Sequence, residues 1–222
     1  MNTSLTPQPT LDKDAPRIGR RRILLALGVA ALPLLQGCFP VVATGVGAGA
    51  AMVADRRTSG TYVEDEGIEW KVSARIRERL GDMAHVNVTS YNRNVLLTGE
   101  APSENMRAQL NEVVAGVENV RGVVNEVVVG PNSTLSARAN DTLITSNVKA
   151  RFVDAQRFSA HSVKVVTEAN VVFLLGIVTR AEADAAAEIA RTSKGVRKVV
   201  RVFEYISEEE ARRRDNPTNA KR

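Results

Sequence analysis

Val86-x-Val88-x-Ser90 followed by Val95-x-Leu97-x-Gly99 returns, 77 residues on, as Val163-x-Val165-x-Thr167 followed by Val172-x-Leu174-x-Gly176. Alternation with period two predicts two half-buried strands in each copy. Asn92-Arg93-Asn94 and Glu168-Ala169-Asn170 lie between the strands and read as turns. A segment written twice at a fixed offset predicts one structural unit built twice.

The same organisation extends outward on both sides. Ahead of each strand pair, Ile68, Val72 and Ile76, and again Ile144, Val148 and Phe152, recur every fourth residue. Each set makes one apolar stripe on a helix. After each pair a second helix is expected. The first starts near Pro102-Ser103-Glu104, with Pro and an acid suited to a helix start. Its counterpart is the Ala-rich stretch 181–191. Val-rich segments at 123–129 and 199–206 close the units as strands. The expected fold is α+β: two tandem modules, each helix-strand-strand-helix-strand, with a three-stranded sheet packed by two helices. The modules span 67–130 and 141–206, joined by a polar linker at 131–140. Residues 207–222 read as a charged, disordered tail, although Glu208-Glu209-Glu210 and Arg212-Arg213-Arg214 have the spacing for acid-to-base pairs on a helix.

The N-terminus reads as an address. Arg17, Arg20, Arg21 and Arg22 precede an apolar run at 23–35 that is broken only by Pro33. A membrane span needs about 20 apolar residues, whereas this run has the length of a signal-peptide core. It ends in Leu35-Gln36-Gly37-Cys38, which resembles the lipobox of bacterial lipoproteins. Residues 1–37 are therefore expected to be a lipoprotein signal peptide, and Cys38 the acylated lipid anchor. Arg20-Arg21-Arg22-Ile23-Leu24 also resembles a twin-arginine signal, so the export route stays open. Residues 38–66 read as a tether, Gly/Ala-rich at 41–54 and polar at 55–66. The run between Ile23 and Leu35 marks the chain for the membrane without crossing it.

The 222 residues are 44% hydrophobic and 25% charged, with a formal net charge of +5. Residues 1–37 hold five bases and two acids, so the remainder carries only about +2. That balance gives no support to nucleic-acid binding, and no zinc-finger spacing or RNA-binding aromatic signature is present. One cysteine cannot form an internal disulfide. His85 and His161 lie in separate copies of the repeat, with no second His or Cys nearby, and read as surface or strand-edge residues. Glu118, Glu126, Glu168 and Glu204 show no pairing logic. Gly99 and Gly176 read as backbone permissiveness at strand ends. No catalytic residues, metal ligands or cofactors are expected.

The repeated module resembles the BON domain, and the chain from the lipobox to Ile206 resembles the dual BON-domain outer-membrane lipoproteins of the DolP (YraP) family. The resemblance rests on Leu34-Leu35-Gln36-Gly37-Cys38, Asn87-Val88-Thr89, Val95-Leu96-Leu97-Thr98-Gly99, Val124-Asn125-Glu126, Asn140-Asp141-Thr142 and Val172-Phe173-Leu174-Leu175-Gly176. The long segment before the signal and the tail after Ser207 depart from it. It implies a protein on the inner leaflet of the outer membrane, facing the periplasm. Phe39 fits, because related lipoproteins use Asp after the Cys for inner-membrane retention.

The modules differ in charge. From 68 to 130 there are seven bases and eight acids, and from 141 to 206 ten bases and seven acids. A helix that buries Ile144, Val148 and Phe152 turns Leu143, Ser146, Lys149, Val153 and Arg157 outward. Apolar residues ringed by Lys and Arg suit an anionic membrane surface. The family resemblance implies the same role for this helix, with phosphatidylglycerol or cardiolipin as the lipid and an envelope function that includes division sites. An envelope protein partner is a further expectation. The family usually has an aromatic where this chain has Leu143, which implies weaker insertion. In one alternative, Leu143 covers the contact between modules. In another, the whole protein is a protein-interaction adaptor or stress-related chaperone. Trp70 is expected to pack between the modules.

Overall fold

A computed structural model describes residues 55–81 and 83–216. The expected signal peptide at 1–37, the expected anchor Cys38, residues 39–54, Asp82 and the last six residues lie outside the described part. The first module is α1 (Ser59–Leu80), β1 (His85–Tyr91), β2 (Asn94–Ala101), α2 (Glu104–Ala115), β3 (Gly122–Asn125) and the short β4 (Val128–Val129). The second is α3 (Leu135–Ala155), a 3-10 turn (Ala160–Ser162), β5 (Val163–Glu168), β6 (Val171–Val178), α4 (Arg180–Arg191) and β7 (Lys198–Tyr205). A last helix, α5 (Glu208–Asp215), follows. In each module the first two strands are antiparallel and the closing strand runs parallel beside the middle one. No helix among the described residues is long and apolar enough to cross a membrane.

The repeated helix stripes lie where their spacing puts them. Ile68, Val72 and Ile76 sit in one core with Val95, Leu97 and Leu110. Ile144, Val148 and Phe152 sit in the other with Val165, Leu174 and Ile189. Phe158 closes the second core edge-on to Phe152, with ring centroids 5.0 Å apart.

Both hairpin turns are held by the same device. Asp65 on α1 accepts hydrogen bonds from the backbone N–H groups of Asn92 (2.8 Å) and Arg93 (2.7 Å). Asp141 on α3 accepts from those of Ala169 and Asn170, both at 2.9 Å. All four turn residues have positive φ, as a two-residue turn matching the strand twist requires. A buried helix carboxylate thus fixes each turn by its free donors. The role of Asn140-Asp141-Thr142, visible in sequence only as a family signature, is this clamp.

Four expectations need correction. β2 and β6 are not half-buried: both faces of each are covered, because the two sheets stack on each other. Leu96 and Tyr91 of the first module pack with Phe173, Leu175 and Ile177 of the second in a third core. Gly99 and Gly176 lie within their strands rather than at the ends; Gly99, at φ 110°, does use glycine's backbone freedom, and at both positions space is short as well. A Cβ there would lie 2.0 Å from the His85 carbonyl oxygen and 2.5 Å from that of Ser162. Residues 55–66 are not a spacer, since helix α1 begins at Ser59 with Thr58 capping it, and α3 likewise begins inside the expected linker, at Leu135. The tail is not disordered over 208–215. There α5 is capped by Ser207 and tied down by Arg56.

Arg56 is buried. Its guanidinium bonds both oxygens of Glu182 (2.7 and 2.8 Å), both of Asp215 (2.7 and 2.8 Å) and the Ile177 carbonyl (3.0 Å). Arg57 pairs with Asp55 and Asp65 and lies over the Tyr62 and Tyr91 rings. Consecutive arginines therefore bolt the incoming chain to the second module and to the first.

Candidate functional site

Helix α3 presents a continuous solvent-facing strip. Leu143 is 70% exposed and Val153 is 60% exposed, while Ile144, one residue on, is buried. Ser146, Lys149 and Arg157 are exposed as well. Leu143, Ser146, Lys149 and Val153 therefore lie on the exposed helix face as expected, and Leu143 does not cover the contact between modules; Arg157 is exposed but lies past the helix end at Ala155, after left-handed Gln156, so the helix phase does not place it. Ser146 turns its hydroxyl back onto the Thr142 carbonyl at 2.9 Å, which spends its polarity within the helix.

The sequence reading missed one member. Leu135 is 83% exposed and lies two turns before Leu143, on the same side of the helix. It falls inside the expected linker at 131–140. The signal for it was Thr134, whose side chain accepts from the Ala137 N–H and caps the helix. Leu135, Leu143 and Val153, with Ala139 and Ala150 exposed between them, form an apolar ridge about 27 Å long at 1.5 Å per residue.

Basic groups gather where the ridge ends. Arg157 lines a shallow hollow of about 600 Å³ with Arg191, Arg197, Lys198 and Arg201. Asp184 neutralises Arg201 at 2.7 Å and Glu188 neutralises Arg191 at 2.9 Å. Among the described residues, Arg157, Arg197 and Lys198 have no acidic partner within salt-bridge distance, so the hollow retains positive charge.

Trp70 does not pack between the modules. It is 74% exposed on α1; the apolar contact between the modules is made by their sheets, and α1 reaches the second module through Glu69, 3.0 Å from Lys164. His161 is exposed, as expected, but His85 is not a bystander: its Nδ1 lies 3.0 Å from Glu100. Nor are Glu168 and Glu204 isolated. Glu168 takes a hydrogen bond from Asn87, and Glu204 one from Asn92, both across the contact between modules.

The BON domain family model matches residues 65–131 and 140–207. Outer membrane lipoprotein DolP of Haemophilus influenzae is 39% identical over 185 residues, covering 82% of this chain and 95% of the relative. The 21 kDa hemolysin of Actinobacillus pleuropneumoniae is 37% identical over 154 residues, 68% of this chain and 79% of that one. Among solved structures, the C-terminal domain of CdsD, a structural protein of the type III secretion system of Chlamydia trachomatis, covers 62% of this chain and 96% of its own. It is 11% identical, with a TM-score of 0.27.

Proposed function

We propose, from the premise that this chain belongs to the dual BON-domain DolP family, that it is an envelope lipoprotein whose second module binds anionic phospholipid. It is placed at the outer membrane, as its relative DolP is. Acylation at Cys38 holds it there, facing the periplasm. Cys38 lies eighteen positions before the buried Arg56, a reach of at most about 65 Å. The folded body thus stays close enough to the leaflet for a helix face to touch it.

The observation that carries this reading is the ridge of Leu135, Leu143 and Val153 beside Lys149 and Arg157. Exposed aliphatic side chains have no folding role on that face. Dipping into the headgroup boundary would remove them from water, while nearby Lys and Arg each gain about 1 kcal/mol from an anionic surface. The positive hollow at the end of the ridge suits a phosphate headgroup such as that of phosphatidylglycerol or cardiolipin. Binding rather than catalysis is the role, in support of envelope integrity and division-site function.

Flotation of the unacylated chain (Cys38→Ser, without residues 1–37) tests it. Vesicles of phosphatidylglycerol or cardiolipin should carry the protein up, neutral vesicles should not, and salt should weaken binding. Leu143→Glu should reduce it at least tenfold. Equal flotation on neutral vesicles, or an unaffected Leu143→Glu, would reject the assignment.

A second reading, a protein-interaction adaptor, is favoured by a different feature. The end strands β3 and β7 border a groove of about 740 Å³ lined by Val123, Val124, Val200, Val202 and Phe203. Such strand edges can accept an extended peptide.

A further inference from the structure

The contact between the modules assembles a group of side chains that neither module could make alone. His85 and Glu100 stand opposite each other on β1 and β2, with Nδ1 and Oε2 3.0 Å apart. Glu168, the last residue of β5, reaches the same place from the second module. Its Oε2 accepts from Asn87 Nδ2 at 2.7 Å and from Thr98 Oγ1 at 3.5 Å. One donor atom from each of His85, Glu100 and Glu168 lies within 4.8 Å of the other two.

The charge balance of this cluster is unusual. Glu100 is 5% exposed and Glu168 is 7% exposed. No lysine or arginine pairs with either carboxylate among the described residues; His85 is the sole basic group on Glu100. Burial, with repulsion from Glu100 adding to it, pushes the Glu168 carboxyl above its ordinary range, against the hydrogen bond from Asn87 and the attraction of His85. Buried charges are ordinarily paired or bound to a metal. Two buried carboxyl groups thus face a single imidazole, with no guanidinium or ammonium among the described residues to balance them.

We propose that His85, Glu100 and Glu168 form a binding site for a divalent transition-metal ion of the zinc class, complete only when the two modules are docked. The donor set selects the metal. One imidazole nitrogen and two carboxylate oxygens suit Zn²⁺, whereas Ca²⁺ and Mg²⁺ favour cages made of oxygen alone. Donor atoms around a tetrahedral Zn²⁺ with bonds near 2.1 Å stand about 3.4 Å apart. His85 and Glu100, at 3.0 Å, need open by only about 0.4 Å to reach that spacing, and the widest pair must close by on the order of 1 Å. Three protein donors leave a fourth position for water. The ion would neutralise both carboxylates and tie β1 and β2 of one module to β5 of the other. Sequence gives no hint of it, since the donors come from both copies of the repeat and the second copy has Ser162 where the first has His85.

The acylated protein in detergent, stripped with a chelator, should bind one Zn²⁺ per chain on calorimetric titration, with a rise in melting temperature. His85→Ala and Glu168→Gln should each weaken binding at least tenfold. Glu168→Gln removes a buried charge and should not unfold the metal-free protein, so its loss of binding cannot be ascribed to misfolding. His161→Ala should bind as the native protein does. Absence of stoichiometric binding, binding that survives both His85→Ala and Glu168→Gln, or an equal response to Ca²⁺ would each overturn the proposal. None of these readouts involves vesicles, so the result stands apart from the lipid assignment.

Discussion

Ala169 shows how far one residue can depart from its own preference when the surroundings insist. It occupies the first position of the second hairpin turn at φ 48°. An L-residue with a Cβ pays about 1–2 kcal/mol in the left-handed region, and Asn suffers less. The first repeat has Asn92 in the same place, at φ 50°. Ala169→Asn should therefore stabilise the protein by about 0.5–1 kcal/mol, read as a higher midpoint in chemical denaturation. Glu168 offers a test with pH. Its carboxyl is raised in the folded state by burial first and by Glu100 next, so folding favours the protonated form. The associated stability is present below the ordinary value of 4.5 and is lost as pH rises through the folded value. Glu168→Gln imitates the protonated acid. Without metal it should melt higher than the native protein at neutral pH, and the difference should vanish as pH falls below 4.5. A constant difference across that range would show that charge is not the cause.

At the level of the helix, α3 carries two opposed duties on adjacent residues. Leu143 is exposed and Ile144 is buried against the second core. Leu143→Glu should leave the denaturation midpoint within about 0.5 kcal/mol of native. Ile144→Glu forces a carboxylate into a packed interior and should cost at least 3 kcal/mol, roughly the worth of a large core truncation. Urea titration of the two variants checks the phase of the helix without any lipid present. The hydrophobic period of four was readable from Ile144, Val148 and Phe152. The full length of the strip was not, because the capping by Thr134 that adds Leu135 depends on a single side-chain hydrogen bond.

Across the whole molecule, the two modules act as one body through stacked sheets and the paired arginines. Leu96, Phe173, Leu175 and Ile177 are each buried in the shared core, and full burial of such a side chain is worth about 1.5–3 kcal/mol. Arg56 adds a polar lock that reaches α4 and α5 together. Glu182 serves it twice over, capping α4 through the Thr179 N–H at 2.8 Å while gripping Arg56. Burial alone would raise the Glu182 carboxyl, but Arg56 and the Thr179 N–H outweigh it and hold the group below its ordinary value. The stability it lends is full above 4.5 and is lost as pH falls through the lower folded value. Arg56→Ala strands Glu182 and the half-exposed Asp215. Full burial of both would make the cost about 3–5 kcal/mol, and exposure of Asp215 reduces it to about 2–3 kcal/mol. Hydrogen exchange should show α5 released in Arg56→Ala, with the core of the first module unchanged.

The sequence by itself determined the two modules, their order of elements and the stripes that fill each core. Those properties follow from periods of two and near four, which are set by backbone geometry over a few residues. The repeat at 77 made them unambiguous by stating them twice. Only the tertiary structure decided what covers the second face of β2 and β6, where Arg56 finds its partners, and that His85 meets two glutamates. These are pairings between residues 15 to 159 positions apart. A strand period records which side chains share a face, but nothing in it records whether that face meets water or another sheet. The near-continuous apolar runs of Val95-Leu96-Leu97 and Val171-Val172-Phe173-Leu174-Leu175 were the one local trace of that second burial, since a strand with a single wet face has no reason to be apolar on both.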